Sequence, residues 1–329
     1  FNSADVHEQT VLQAGYQAHL GGEGFALEGR FTYAWTRPDI GGGNPLKSRS
    51  LVASLEGSFP IERSQRRDLR AVGGLDLVNQ DLDFSGTDLT RDRLRVLYGR
   101  LDFNATDPAS IAGTRRFSAS FPRWRFGGSI EARRGVRIFG ADRGCGPAPT
   151  FALCTTIPTP SRVAGDPTGT LVRAQGEFDW RPQPGLTLVF APRVQYAFDP
   201  LLTYEEFSAG NYSVGRGYDP GVIIGDSGAG FTLEGRLGEL APQSRRALAW
   251  QPYAFFDAAW VWNKRVAAPA VNPDKVYSLG AGTRVAFGDH ARLDVALVQP
   301  LHRTSGQTSK GDTRIMISLT TRLLPWTTR

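Results

Sequence analysis

Along most of the chain, apolar and polar residues alternate one for one. In FALEGRFTYAW, Phe25, Leu27, Phe31, Tyr33 and Trp35 share one face with Gly29, while Glu28, Arg30 and Thr32 take the other. A period of two is the signature of a strand with two unlike faces. The pattern returns at 50–59, where Leu51, Ala53, Leu55 and Phe59 oppose Ser50, Ser54 and Glu56. It returns again at 69–77, where Leu69, Ala71, Leu75 and Leu77 oppose Arg70 and Asp76. Between 91 and 106 the phase slips near Tyr98, which predicts a bulge. Residues 115–140 read as two strands with a turn near Phe126-Gly127-Gly128, and 141–168 as the longest polar, proline-rich loop. The clearest hairpin occupies 169–198 and turns at Gln183-Pro184-Gly185. A short strand is predicted at 11–20, and later ones at 228–237, 251–263, 277–288, 291–301 and 312–323. This gives about 14 strands of roughly 10–14 residues and no amphipathic helix.

The polar rows decide between two all-β architectures. They carry full charges: Glu28, Arg30, Arg173, Glu177, Asp179, Arg193, Arg292, Asp294, Arg314 and Arg322. The opposite rows are Leu, Phe, Val, Trp and Tyr, with Trp35, Trp180, Trp260 and Trp262 near strand ends. A sandwich hides its apolar face between sheets and tolerates few large aromatics outside. A transmembrane antiparallel β-barrel with a wet lumen, a lipid-facing band and aromatic girdles needs this arrangement. Phe25, Leu27, Phe31, Phe178, Phe190, Phe256 and Ile317 are therefore expected to face lipid, and Glu28, Arg173, Glu177, Arg193 and Arg314 the lumen.

Composition is consistent with that reading. A mean hydropathy of -0.28 excludes nothing, because a barrel carries its apolar residues at alternate positions. The net charge is +6, yet the arginine pairs Arg115-Arg116, Arg133-Arg134 and Arg245-Arg246 are scattered and lack interleaved aromatics, which argues against nucleic acid. Basic loops facing lipopolysaccharide, or a basic lumen, account for the charge equally well. Cys145 and Cys154 lie in a Gly/Pro-rich stretch and predict a small loop disulfide formed in an oxidising compartment. No further ligands stand near them, so no metal is expected. The chain opens at Phe1 without initiator Met or leader, as expected of a processed or truncated product.

The alternation fails over 201–226, a glycine-rich stretch centred on Val214-Gly215-Arg216-Gly217-Tyr218. It carries Tyr204, Phe207, Tyr212, Tyr218, Ile223 and Ile224, too apolar a set for disorder. An arginine among glycines reads as a packed loop tip whose guanidinium needs carboxylate partners. In the next two strands Phe231, Leu233, Phe256, Trp260 and Trp262 take the lipid side, so Glu234, Phe255 and Asp257 point inward. Either the two carboxylates hold Arg216, or they face water and pair at random like other lumen charges.

The ordered run Leu201-Leu202, Glu206-Phe207, Gly210, Arg216-Gly217-Tyr218, Gly225-Asp226, Gly228 and Glu234 resembles the two-partner secretion transporters of the haemolysin secretion/activation family. Phe255-x-Asp257 is similar to a strand motif of that family, and Phe59-Pro60-Ile61-Glu62-Arg63-Ser64 to its Pro-aliphatic-x-Arg-Ser turn. One departure is Gly215, where the family more often has Val. Another is the tail 323–329, which runs past the usual terminal aromatic. The resemblance implies a sixteen-stranded outer-membrane barrel preceded by two periplasmic domains, with the first strands and those domains outside this sequence. It also implies that the sixth extracellular loop folds into the lumen. There Arg216, Gly217, Tyr218 and Asp226 would form its tip and stem, and Glu234, Phe255 and Asp257 the wall that receives it.

The implied activity is outward translocation of an unfolded polypeptide through the lumen of a bacterial outer-membrane protein. Neither cofactor, metal nor catalytic residue is expected. Expected partners are membrane lipid and lipopolysaccharide, the secreted polypeptide and other cell-surface proteins. Two alternatives draw on the same barrel: an assembly factor that inserts other barrels, and a structural or porin-like barrel in a surface complex. Gly225-Asp226-Ser227-Gly228 echoes a protease nucleophile, but position 229 is Ala and no histidine stands in a matching context. Gly41-Gly42-Gly43 lacks the Lys-Ser/Thr of a phosphate cradle.

Overall fold

The computed structural model describes residues 9–37, 46–113, 116–146, 150–211, 214–244, 246–264, 271–307 and 309–322. Tyr212, the triglycine at 41–43 and the tail 323–329 lie outside them. The strands are β1 (Gln9–Leu20), β2 (Phe25–Thr36), β3 (Leu46–Arg63), β4 (Arg67–Phe84), β5 (Thr87–Thr106), β6 (Trp124–Gly135), β7 (Thr170–Gln183) and β8 (Leu186–Ala197). They continue as β9 (Phe207–Ala209), β10 (Ile223–Gly225), β11 (Ser227–Leu237), β12 (Leu248–Trp262), β13 (Asp274–Phe287), β14 (Ala291–Pro300) and β15 (Arg314–Thr321). A one-turn helix, Pro108–Ile111, is capped by the Asp107 carboxylate. All but β9 and β10 form one 13-stranded sheet in which each strand pairs with its sequence neighbours. The long loop separates β8 from β11, yet these two also pair, from Gly228 opposite Gln195 to Leu237 opposite Leu186. The small β9–β10 hairpin lies within that loop.

The register carries the alternation from strand to strand. Phe126 stands opposite Phe178, Phe178 opposite Phe190, Phe190 opposite Leu233, and Leu233 opposite Phe256. Opposed residues share a face, so an apolar band runs across the outer side. Phe178, Phe190, Leu233 and Ile317 are exposed there, and Phe190, Phe231, Phe256 and Trp260 form a chain of ring contacts. The other face carries the Arg–carboxylate pairs described below. The two longest connections, 136–169 and 198–226, lie at one end with 301–313, and tight turns such as 21–24, 184–185 and 288–290 at the other, which also carries the 107–123 connection. Outer-membrane barrels place long loops outside and short turns in the periplasm.

Four sequence expectations need correction. Among the described residues the sheet has 13 strands, in line with about 14, but β3, β4 and β5 reach 18, 18 and 20 residues, beyond the 10–14 expected. The turn foreseen at Phe126-Gly127-Gly128 is the middle of β6, where the glycines make room instead. A Cβ on Gly128 would meet Gln175 O at 2.6 Å and the Phe103 ring at 2.9 Å. No bulge occurs at Tyr98, since the β4–β5 register is continuous there and shifts only at Leu82/Asp83. The apparent slip arises because Leu94, Val96 and Tyr98 are buried on the inner face, the first two in one cluster with Leu202 of the loop. The Pro60-Ile61 motif is likewise not a turn. It ends β3 with a register shift between Pro60 and Glu62, and the turn follows at Ser64.

Because β5 outruns β6, its backbone edge near residues 89–95 lacks a strand partner, and buried or half-buried peptide groups must be satisfied. The 136–169 segment supplies them. Val136 N–H donates to Arg95 O at 2.7 Å, Asp142 N–H to Arg93 O at 2.9 Å, and Thr159 N–H to Leu89 O at 3.1 Å. The Cys145–Cys154 disulfide lies in this segment, with Cα atoms 5.1 Å apart and Cys145 buried. The loop is a packed one laid along β5.

Candidate functional site

The segment 198–226 leaves β8, crosses the inner face and returns to β11. Leu202 packs with Val78, Leu94 and Val96 on the β4–β5 wall. Phe207, Val214, Tyr218 and Ile223 pack with Ala259, Val261 and Val276 on the β12–β13 wall. Burying these side chains stabilises the inserted position by about 1.5–3 kcal/mol for each large one. This apolar content is what distinguishes the segment from a solvent-exposed loop.

Two glycines shape its tip. Gly215 has φ +92° and Gly217 φ +86°, conformations that a Cβ strains. A Cβ on Gly217 would also meet Val298 Cγ1 at 2.7 Å. Valine, the residue the resemblance would put at position 215, rarely takes such a φ.

Between these glycines, Arg216 is held by two carboxylates and an aromatic ring. Its Nε and Nη2 donate to Asp257 Oδ2 and Oδ1 at 2.9 and 2.8 Å, its backbone N–H to Oδ2 at 3.0 Å, and Nη1 to Glu234 Oε2 at 2.9 Å. The guanidinium lies over the Phe255 ring, 3.3 Å from its centroid. Both carboxylates are buried, with side chains 3 % and 0 % exposed. Burial alone lowers the pKa of Arg216, but its bonds to Asp257 and Glu234 outweigh that and the net direction is upward. Thr232 Oγ1 donates to Asp257 Oδ1, and Arg236 and Arg284 reach Glu234 Oε1 at 2.6 and 2.7 Å. Arg284 continues to Asp294. Three guanidinium groups thus meet three carboxylates in one network, so neither sign is left in excess within it.

The remaining predicted residues occupy the tip and the stem. The Tyr218 hydroxyl lies 2.9 Å from Tyr277 O and 2.7 Å from His302 O, and accepts from His302 N–H at 3.0 Å. Asp226 is fully buried at the far end of the segment, remote from Arg216. It accepts the N–H groups of Leu201 and Lys264, each at 2.6 Å, and a bidentate pair from Arg162. The structure therefore brings Arg216, Glu234, Phe255 and Asp257 together, and puts Asp226 in a second cluster.

That second cluster contains residues the sequence reading passed over. Arg162, from the 136–169 segment, also donates to Glu206 Oε1 at 2.8 Å, Leu201 O at 3.3 Å and Lys264 O at 3.0 Å. The Gln195 amide donates to Glu205 O at 2.8 Å and Asp226 O at 3.0 Å. One guanidinium and one amide thereby tie both stems of the inserted segment. A third cluster centres on Arg133, 5 % exposed, which donates to Glu131, Asp76 and both oxygens of Glu205 at 2.7–2.9 Å. The available signals were Glu205-Glu206 beside the motif and an arginine on the inner row of β6. The misplaced turn at 126–128 concealed that row.

A wide antiparallel sheet, apolar outside and charged inside, with a segment pinned across its inner face, defines a transmembrane β-barrel of the outer membrane. Solved structures of that class are similar to it. CdiB from Escherichia coli matches with a TM-score of 0.73 at 14% identity, over 94% of this chain and 52% of that one. CdiB from Acinetobacter baumannii matches at 0.64 and 16%, over 90% and 47%. BamA from Haemophilus ducreyi, in a form lacking POTRA domains 1-3, matches at 0.58 and 12%, over 95% and 63%. The chain thus spans about half the length of either CdiB, and the likeness is one of fold. No curated protein sequence matches it. The profile of the haemolysin secretion/activation protein family ShlB/FhaC/HecB matches residues 79–285, well over half of the chain, and the chain belongs to that family.

Proposed function

We propose that this chain is the membrane-embedded part of a two-partner secretion transporter and moves an unfolded polypeptide outward through its lumen. Family membership supports the reading, and the observation that carries it is the hold of Asp257, Glu234 and Phe255 on Arg216. One segment lies across the inner face of the sheet by contacts a side chain can make and break, while the backbone pairing of β8 with β11 behind it does not depend on them. The polypeptide is the proposed cargo, and lipid and lipopolysaccharide surround the apolar band. We assign no catalytic residue. Residues 1–329 are read as one barrel domain, with further strands and periplasmic domains elsewhere in the intact protein. This accords with the chain covering about half of each CdiB.

The test is export by Arg216→Ala in the intact transporter. Losing the cation leaves two buried carboxylates half-paired, at a cost of about 3–5 kcal/mol, borne by the tip and not by the sheet. Export should fall at least tenfold while heat-modifiable migration of the barrel is retained. Arg216→Lys should recover only part of it, because an ammonium cannot bridge two carboxylates as a planar fork does. Wild-type export by Arg216→Ala would refute the role given to the inserted segment.

A further inference from the structure

The inserted segment leaves part of the inner wall uncovered. Along β6, β7, β8 and β11 lie two cavities of about 450 and 390 Å³. Gln175 and Arg193 line both, so the two form one continuous tract. Gly127 and Ala191 line the first cavity and Ser129 the second, small side chains that keep it open. Glu206 and Phe207, at the stem of the inserted segment, close its upper part.

The charged groups around this tract are paired, with one exception. Arg100 meets Glu56 and Asp102, Arg173 meets Glu131, Arg236 meets Glu234, and Glu177 lies 3.8 Å from Arg125. Glu206 is held by Arg162. Among the described residues Arg193 has no carboxylate partner. Its guanidinium lies over the Phe207 ring, 5.2 Å from the centroid, a contact that fixes the group and leaves its N–H edge free. Lipid cannot supply the missing anion, because the next residue, Val194, is the one exposed on the outer face.

From this tract and its unpaired cation we infer that Arg193 is a binding site for a carboxylate side chain of an extended polypeptide lying along β6–β8. The inference rests on the transporter reading for its biological meaning, yet binding can be measured without export. A half-dehydrated guanidinium without an anion is unfavourable, and a carboxylate entering the tract gains a charge-assisted hydrogen bond. Because one donor is enough for one carboxylate, lysine should serve here, unlike at Arg216.

The probe is fluorescein-labelled deca-aspartate, compared with deca-asparagine, added to the full-length protein in detergent. Anisotropy should show saturable binding of the aspartate peptide, weakening with salt as screened charges do. Arg193→Gln should weaken it roughly tenfold, the scale of one charge-assisted bond. Arg193→Lys should stay within about twofold, and Arg137→Gln, on an exposed loop, should change nothing. A photo-crosslinker replacing Gln175 should capture the peptide, and one replacing Ser54 on β3 should not. Equal binding by Arg193→Gln, or equal capture from Ser54, overturns the inference. So does the absence of saturable binding by wild type. Loss of export in Arg216→Ala alongside unchanged peptide binding by Arg193→Gln would overturn this site and leave the transporter reading intact.

Discussion

Glu206 and Arg216 respond differently to protons although both are half-buried in the same segment. Burial pushes the Glu206 pKa above its ordinary 4.5; Arg162 pulls it down only in part, and Asp226 adds to the rise. A carboxyl raised in the folded state binds more protons there than in the unfolded chain. Its contribution to stability is full below the ordinary value and is lost as pH rises through the raised one. Glu206→Gln should therefore leave the unfolding free energy at pH 7 unchanged or slightly higher, within about 0.5 kcal/mol. It should also remove part of the pH dependence just above 4.5. A clear fall at pH 7 would mean that the charge itself, and not a hydrogen-bond acceptor, is what Arg162 requires. The Arg216 network offers no such handle: the guanidinium pKa moves upward, so the tip stays charged at any pH the barrel survives.

At the scale of elements, the tip and the stems are fastened independently. Arg162 draws Leu201, Glu206, Asp226 and Lys264 together at the ends of β11 and β12, while Arg216 binds Glu234 and Asp257 farther along the same two strands. Among the described residues every cysteine is in the disulfide, so a thiol introduced as Val214→Cys reports exposure of the tip without background. Arg162→Ala should raise its alkylation rate several-fold, and Arg216→Ala by more. Equal rates in Arg162→Ala and wild type would show that the stems do not govern the tip. The sequence made one of these fastenings legible and hid the other. Strict alternation in β11 and β12 puts Glu234, Phe255 and Asp257 on one face without any knowledge of the turn between them. Arg162 stands in a proline-rich stretch without period, where nothing local says which way a side chain points. Arg133 lies on a strand, but Gly127-Gly128 looked like a turn, and the spatial demand of Asn104 on Gly127 and of Phe103 and Gln175 on Gly128 exists only once the sheet is assembled.

At the scale of the molecule, the barrel distributes its residues between two solvents. Phe231 sits amid Phe190, Phe256 and Trp260 on the outer band. Phe231→Arg should reduce the folded, heat-modifiable fraction, by about 2–4 kcal/mol if the position lies at the bilayer midplane. Ser318→Arg, on the inner row of β15 opposite Asp294, should be tolerated; equal damage from both would contradict the assigned faces. The stems carry a consequence of their own for the proposed transport. A stopper on a slack cord can be swept out of a pipe and must find its way back. A flap anchored at a single hinge can only swing. In the proposed transporter, with both feet of the 198–226 segment meeting at Arg162 and Gln195, a displaced tip would travel on an arc of fixed radius. Its return after each passage should therefore take the same time whether the chain that pushed it aside was short or long.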